Sequence, residues 1–468
     1  MIINGEEASS VDTFDVLNPA TEAVIAKCPR ATETQLNEAV VAARAAFPSW
    51  SLTSDDERSR LIHAIGQALE DRRDELAELL TLEQGKPQKG FAGLGAQFEI
   101  DGVLAWIHAT ADLSIPVEVI EDSEAGLIEL HRKPLGVVGS IIPWNYPLLI
   151  AIWHVIPALR AGNTVVLKPS EYTPLAVLRA AQIFNDILPP GVFNVVTGEG
   201  TLGAAMAYHA DIDKIIFTGS TQTGKKIMQA SSVNLKRLTL ELGGNDAAIV
   251  MPDVDVAAVA PKIFAFAMIN NGQTCAAIKR LYVHEDIYEP LCEALGEIAN
   301  SVTTGNGMDD VDFGPVQNKA QFEKICAIAE DARSRGGRFL AGGEAMSGPG
   351  YFFPVSIAVD LPEDARLVQE EPFGPILPIL RFSNIEDVIA RANASSSGLG
   401  GSVWSQDIER AIQIANRLEC GTAWINEHAM IQPNVPFGGV KQSGFGVEFG
   451  VEGLKECTVI QTLKVGKS

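Results

Sequence analysis

The stretch 164–196, TVVLKPSEYTPLAVLRAAQIFNDILPPGVFNVV, decides the architecture. It opens on Thr164–Leu167 and closes on Val192–Val196, two short apolar runs rich in β-branched residues that read as buried strands. Between them PLAVLRAAQIFNDIL carries apolar residues at helical spacing, with Thr173 placed as N-cap and Pro174 at the first helical position. Strand, helix and strand in succession predict a parallel βαβ unit. Outward from it, Val137–Ile142, Lys214–Phe217 and Ala247–Val250 have the same strand texture, so the unit belongs to a doubly wound sheet.

The alternation resumes downstream. Leu281–His284, Ile376–Phe382, Val403–Trp404 and Thr422–Asn426 read as strands, and helices are predicted near 287–299, 317–334 and 385–393. The expected fold class is therefore α/β, with two doubly wound, Rossmann-like domains in tandem. Upstream, residues 35–80 read as helix from Leu36, Ala39, Val40, Ala43 and Phe47, then Leu61, Ile65, Ala68, Leu69, Leu76 and Leu79. Residues 112–133 alternate like two strands around an acidic turn, a protruding hairpin whose unpaired edges call for cover by another subunit. Gly342–Gly350 reads as a surface loop.

Composition narrows the function classes. The chain has 468 residues, 46% hydrophobic and 20% charged, and its mean hydropathy is +0.12, the make-up of a globular protein with a substantial core. Its formal net charge of −23 repels phosphate backbones and argues against nucleic acid as a partner. The longest apolar stretch, Leu148–Leu159, is broken by His154 and Pro157 and falls short of the roughly 20 residues that span a bilayer. No membrane partner is expected. The N-terminus lacks a secretory pattern, and the six cysteines (28, 275, 292, 326, 420 and 457) show no paired spacing, which points to a reduced, cytoplasmic protein. No histidine cluster has metal-ligand spacing, and neither GxSxG nor a P-loop occurs, so a metal is not expected.

Three places carry candidate chemistry. Cys275 ends GQTC after Asn270 and Asn271, where a tight turn would present the sulfur and its own N–H to a cleft; a lone cysteine is otherwise a small buried hydrophobe. Glu241 sits in LTLELGG. A carboxylate inside an apolar strand is either a general base with its pKa raised by burial or a strand end reaching solvent. Asn145 lies in Pro143-Trp144-Asn145-Tyr146-Pro147, a proline-fixed loop that would serve as an oxyanion donor or simply as a rigid turn. Nucleotide signals accompany them. Gly198–Gly203 fits GxGxxG only formally, whereas Phe217–Gly224 follows a strand and opens a helix suited to a pyrophosphate. Lys168 and Glu171, at a strand's carboxyl end, read either as ribose ligands or as a solvated charge pair. Lys279 and Arg280 read as ordinary surface charge at the start of a strand.

In this order PWNYP (143–147), KPSE (168–171), FTGSTQTG (217–224), ELGG (241–244), GQTC (272–275), EEPFGP (370–375) and PFGG (436–439) resemble the aldehyde dehydrogenase superfamily, specifically its hydrolytic, non-acylating members. The resemblance spans essentially the whole chain. It implies Cys275 as nucleophile, Glu241 as general base and Asn145 as oxyanion donor. It places Lys168 and Glu171 at the adenosine ribose, Trp144 and Ser220 at the pyrophosphate, and Glu371 with Phe373 at the nicotinamide ribose, with Ser170 also among the cofactor-binding residues. Ile141, Ile142, Pro143, Gly198, Phe217, Gly219, Leu242 and Gly243 would line the rest of the cofactor cleft. Tyr146, Trp153, Thr274 and Phe437 would line the substrate tunnel, with Trp424 and Met430 in or near its distal wall. The family often has Lys where Asn245 stands here. The implied division is 1–111 with 134–243 for the cofactor, 244–438 for catalysis, 112–133 with 454–468 for oligomerisation, and 439–453 returning to the cofactor domain.

The implied reaction is oxidation of an aldehyde to the acid with NAD, preferred over NADP because the Glu171 carboxylate repels a 2′-phosphate. An aromatic, uncharged tunnel favours an apolar aliphatic or aromatic aldehyde, with semialdehydes or aminoaldehydes as the alternative. Glu241 disfavours an acylating enzyme, and the joint presence of all three groups disfavours a catalytically silent relative. A homodimer or homotetramer is expected, formed by pairing of the hairpin and the terminal ECTVIQTLKV segment between subunits.

Overall fold

A computed structural model describes residues 1–466. Residues 137–241 build the core of an eight-stranded sheet. Its parallel strands run in the order Phe193–Val195, Thr164–Lys168, Val137–Ile141, Lys214–Thr218 and Arg237–Glu241. The chain steps from Val137–Ile141 to one side, then returns to continue on the other. A crevice therefore opens where the order reverses, between Val137–Ile141 and Lys214–Thr218. These strands are apolar without alternation because helices cover both faces. The second sheet has seven strands, in the order Arg338–Ala341, Ser356–Val359, Ile376–Phe382, Arg280–His284, Ala247–Val250, Gly400–Trp404 and Thr422–Ile425. All pair in parallel except Arg338–Ala341.

The helical reading of 35–80 resolves into Glu33–Ser51, Asp55–Glu70 and Arg73–Gln84. The first is closed by a capping box of Thr32 and Gln35, and the second starts on Ser54 as N-cap. One cap differs from expectation. The helix of the opening stretch runs Leu175–Ile187, and its first amides donate to Glu83 (Leu175 N 2.6 Å, Ala176 N 3.0 Å) rather than to Thr173, whose hydroxyl is buried without a partner among the described residues. A carboxyl delivered from the Arg73–Gln84 helix serves two amides at once, which a neighbouring hydroxyl does not.

The 112–133 segment also needs correction. Glu118–Asp122 and Gly126–Pro134 do form a hairpin, but Thr458–Gly466 pairs with Gly126–Pro134 along its full length within the same chain. Pairing inside the chain satisfies an edge that had been expected to wait for another subunit. The last two residues of the 454–468 segment lie outside the described residues. Val117, Val119, Ile120, Ile460, Leu463 and Val465 on this small sheet are exposed.

Candidate active site

Three consecutive residues in left-handed conformation, Asn270, Asn271 and Gly272 (φ 51°, 57° and 69°), reverse the chain between the helix Val256–Met268 and the strand Arg280–His284. The cost of placing two non-glycine residues there is offset by hydrogen bonds: Asn270 Nδ2 donates to Asn145 O (2.9 Å) and Asn271 Nδ2 to Gly314 O (3.0 Å). At Gly272 the backbone runs so close to Gly374 that a Cβ would lie 2.1 Å from its carbonyl oxygen. The turn delivers Cys275, partly buried, against the apolar cluster that contains Tyr146, Leu149, Trp424, Phe437 and Phe449. The Cys275 N–H has no acceptor among the described residues. Burial pushes the Cys275 thiol up to about 12, opposed by the charge of Lys279 and reinforced by Glu371, Glu241 and Asp246.

Asn145 follows the strand Val137–Ile141 and precedes the helix Pro147–Arg160. Its Nδ2 donates to Gln273 O (2.9 Å), which orients the amide beside the Cys275 turn and leaves its second N–H for another acceptor. Beneath it is a buried ion pair: Lys86 Nζ donates to Glu99 and to Asn145 O (2.9 Å), while Glu99 Oε1 accepts from Leu148 N and Leu149 N (3.1 Å each). Glu241 ends the strand Arg237–Glu241, buried rather than reaching solvent, with both carboxylate oxygens unpartnered among the described residues. Burial, then the nearby charge of Glu448, raises its pKa well above the usual carboxylate range. Behind Glu448 stands His154, Nε2 3.3 Å from Oε1, hydrogen-bonded to Ser140 and Thr218 (2.9 Å each).

The crevice at the switch point is a cavity of about 710 Å³ lined by Ile141, Ile142, Pro143, Trp144, Lys168, Ser170, Glu171, Phe217, Gly219 and Ser220. The Lys168 ammonium is held by Pro169 O (2.8 Å) and Gly198 O (2.7 Å), with Glu171 at 3.9 Å. It is a buried group and no solvated pair. Ser220 is the N-cap of Thr221–Ser231, accepting from Thr223 N, and both Ser220 and Thr223 line the crevice, so the start of this helix borders it. Leu242 packs on Gly224, and Gly243 faces Glu371, where a Cβ would come within 2.3 Å of Oε2. Glu371 Oε1 accepts from Gly244 N and Lys279 Nζ (3.3 Å each), and Phe373 meets Trp144 edge to face at 5.4 Å. Apolar walls at one end, paired hydroxyl acceptors at Glu171 and Glu371, and glycines where backbone must approach a ligand suit a dinucleotide.

The tunnel residues divide. Trp153 and Phe437 join the apolar cluster, Trp153 touching Phe449 at 4.8 Å between ring centres. Tyr146 and Thr274 hydrogen-bond to each other (3.2 Å), and the Thr274 hydroxyl donates to Ile269 O. Trp424 Nε1 donates to Met430 O (3.1 Å), but the Met430 side chain is 48% exposed and outside the cluster. Its neighbours Ala429 and Ile431 pack there instead, which no periodicity announces in an irregular loop. Lys279 and Arg280 overturn the surface reading. Both are buried, because Arg280–His284 is an interior strand flanked by Ile376–Phe382 and Ala247–Val250. Arg280 is spent on the carbonyls of Asn245, Arg391 and Ala392. Sequence reasoning also passed over Lys86, Glu99, His154 and Glu448, each a polar residue whose partner is distant in the chain.

A nucleotide-sized crevice at the switch point of a doubly wound sheet, lined through Pro143 and Trp144 next to the Asn145 loop, defines the class, a dinucleotide-binding α/β protein. Comparison with known proteins makes the family specific. Residues 6–463 match the model of the aldehyde dehydrogenase family. The chain is 39% identical to the phenylacetaldehyde dehydrogenase of Pseudomonas fluorescens, over 99% of this chain and 95% of that one. The NAD+ complex of an aldehyde dehydrogenase from Bacillus cereus superposes with a TM-score of 0.97 at 40% identity, covering 100% of this chain and 96% of the other. A betaine aldehyde dehydrogenase from Staphylococcus aureus, also with NAD+, gives 0.95 at 33% identity, over 100% and 94%. This chain belongs to the aldehyde dehydrogenase family of NAD-dependent oxidoreductases. Among the described residues no helix is long and apolar enough to cross a membrane.

Proposed function

We propose that the protein oxidises an apolar aliphatic or aromatic aldehyde to its carboxylic acid with NAD, through a thioester on Cys275. The observation that carries this reading is that the Asn145 amide is bonded to the turn that presents Cys275, while the unpartnered Glu241 carboxyl is near enough to act on the Cys275 thiol. The Cys275 thiolate adds to the carbonyl carbon, forming a C–S bond. The free N–H of the Asn145 amide and the Cys275 backbone N–H accommodate the negative oxygen, each such donor being worth about 10²–10³ in rate. NAD, when bound, supplies the acceptor for the hydride lost from the tetrahedral carbon. Glu241 then takes a proton from water as its oxygen adds to the resulting thioester; the C–S bond breaks, releasing the acid and restoring the thiol.

Lys168, Ser170 and Glu171 would hold the adenosine ribose, Trp144 and Ser220 the pyrophosphate, and Glu371 with Phe373 the nicotinamide ribose. Preference for NAD over NADP rests on the Glu171 carboxylate, which would repel a 2′-phosphate. The aromatic surround of Trp106, Trp153, Phe437 and Phe449 supports an uncharged substrate. The strands of 137–241 would form the cofactor domain and residues 244–438 the catalytic one. The small sheet would assemble the chain into a homodimer or homotetramer, and the six free thiols suit the cytoplasm.

The test is a kcat/KM profile over aliphatic, aromatic and charged aldehydes with both cofactors, beside Cys275→Ala. The variant should form no NADH while still quenching its tryptophans on NAD binding. Turnover by the alanine variant would end the covalent reading, and a ratio favouring NADP would end the reading of Glu171.

A further inference from the structure

Lys279 is a buried lysine with no place in the reaction as drawn. Its side chain is 2% exposed, and its Nζ reaches three oxygens around the nucleophile: Thr274 O (2.5 Å), Cys275 O (3.4 Å) and Glu371 Oε1 (3.3 Å). Its ammonium also lies over the Phe373 ring, 5.5 Å from the centre. Its backbone N–H donates to Asp246 O (3.0 Å), which anchors the base of the strand. The charges that act on Cys275 are those of Lys279, Glu371, Glu241 and Asp246, and Lys279 is the cation among them. This buried ammonium is bonded to the Cys275 backbone, next to a thiol whose protonated form is favoured first by burial and then by the three carboxyls.

We propose that Lys279 is the positioning residue that favours the nucleophilic form, clamping the Thr274–Cys275 backbone and supplying the positive charge that opposes protonation of Cys275, while its bond to Glu371 ties that charge to the cofactor end of the site. The inference rests on Cys275 being the nucleophile. Physically, the ammonium works in two ways. Its bonds to two successive carbonyls fix the orientation of the turn, so the sulfur does not rotate away from the Asn145 amide. Its charge, desolvated and unable to reach water, offsets the repulsion from Glu371, Glu241 and Asp246 at the sulfur. Glu371 moderates the effect, because each moment it accepts from Lys279 it neutralises part of the field that Cys275 would feel. The two side chains therefore act on the thiol with opposite sign.

The experiment reads the thiol itself. The cofactor-free, full-length protein is alkylated with iodoacetamide across a pH series, and modification of the Cys275 peptide is followed by mass spectrometry, which separates it from the other five cysteines. Lys279→Met should move the midpoint of the Cys275 reaction up by at least one pH unit, about a ten-fold slower alkylation at any pH below it. Glu371→Gln should move it the other way, and Lys279→Arg should retain most of the wild-type rate. A folded Lys279→Met variant with the wild-type midpoint overturns the proposal, as does an upward shift in Glu371→Gln. Should Lys279→Met fail to fold, Glu371→Gln still decides the sign. Failure of the covalent reading shows elsewhere, as turnover by Cys275→Ala, and is distinguishable from a null shift in the alkylation profile.

Discussion

At the scale of single residues, Glu241 shows what burial does to a carboxyl. A carboxyl with both oxygens unpartnered and Glu448 nearby is hard to ionise, so its folded-state pKa is raised, by desolvation first and by like charge second. Only the deprotonated form accepts a proton from water. Thioester hydrolysis should therefore rise with pH through a value well above the ordinary carboxylate range. Glu448→Gln removes the like charge and should shift that rising limb to lower pH. Single-turnover measurement of the hydrolytic step across pH checks this, and a limb that stays in place or moves upward would show that Glu448 does not act on Glu241. Cys275, Glu241 and Asn145 stood out as candidates in the sequence because each sits in a local oddity: a cysteine after a glycine turn, a glutamate in an apolar strand, an asparagine between prolines. Lys279 was misread because a lysine at a strand start looks the same whether the strand is interior or at an edge.

At the scale of elements, the helix Leu175–Ile187 depends on a group from another helix. Glu83 accepts from its first two amides, yet burial still raises the Glu83 carboxyl to about 8. The folded chain thus keeps a proton that the unfolded chain releases in the ordinary carboxylate range. A raised folded-state pKa means that the associated stability is complete below the unfolded value and is lost as pH climbs towards 8. Thermal unfolding of the wild type should show midpoints that fall between about pH 5 and 8 for this reason. Glu83→Gln should flatten that slope, whereas parallel slopes for the two proteins would refute it. The Lys86–Glu99 pair plays a comparable part for Pro147–Arg160, whose first amides would otherwise be orphaned inside the core. Removing either partner alone leaves an uncompensated buried charge, a change that costs about 3–5 kcal/mol in proteins generally. Strand and helix existence along 137–250 followed from periodicity; these caps did not, because their partners lie some 50 to 90 residues away.

At the scale of the whole molecule, the small three-stranded sheet exposes several large apolar side chains. Val119, Ile120, Ile460 and Leu463 lie on its surface. If this sheet assembles the chain, Ile460→Glu with Leu463→Glu should lower the sedimentation mass from dimer or tetramer towards the monomer. A wild-type protein that already sediments as a monomer, or a variant whose mass does not change, would remove the sheet from that role. Pairing of Thr458–Gly466 with Gly126–Pro134 joins segments more than 300 residues apart. In the sequence both read as strands that pair with each other, but between subunits; the fold joins them within one chain.

By itself the sequence determined the local facts: where apolar runs form strands, where glycine and proline break them, and which short motifs carry reactive side chains. Those depend on neighbours a few positions away, and so they are written in the order of residues. Only the tertiary structure decided which strand is interior, which polar group meets which, and which charge is denied water. Ionisation and hydrogen bonding depend on distance and solvent in three dimensions, and Lys279, Glu83 and Glu448 acquire their properties from residues that the chain brings to them only on folding.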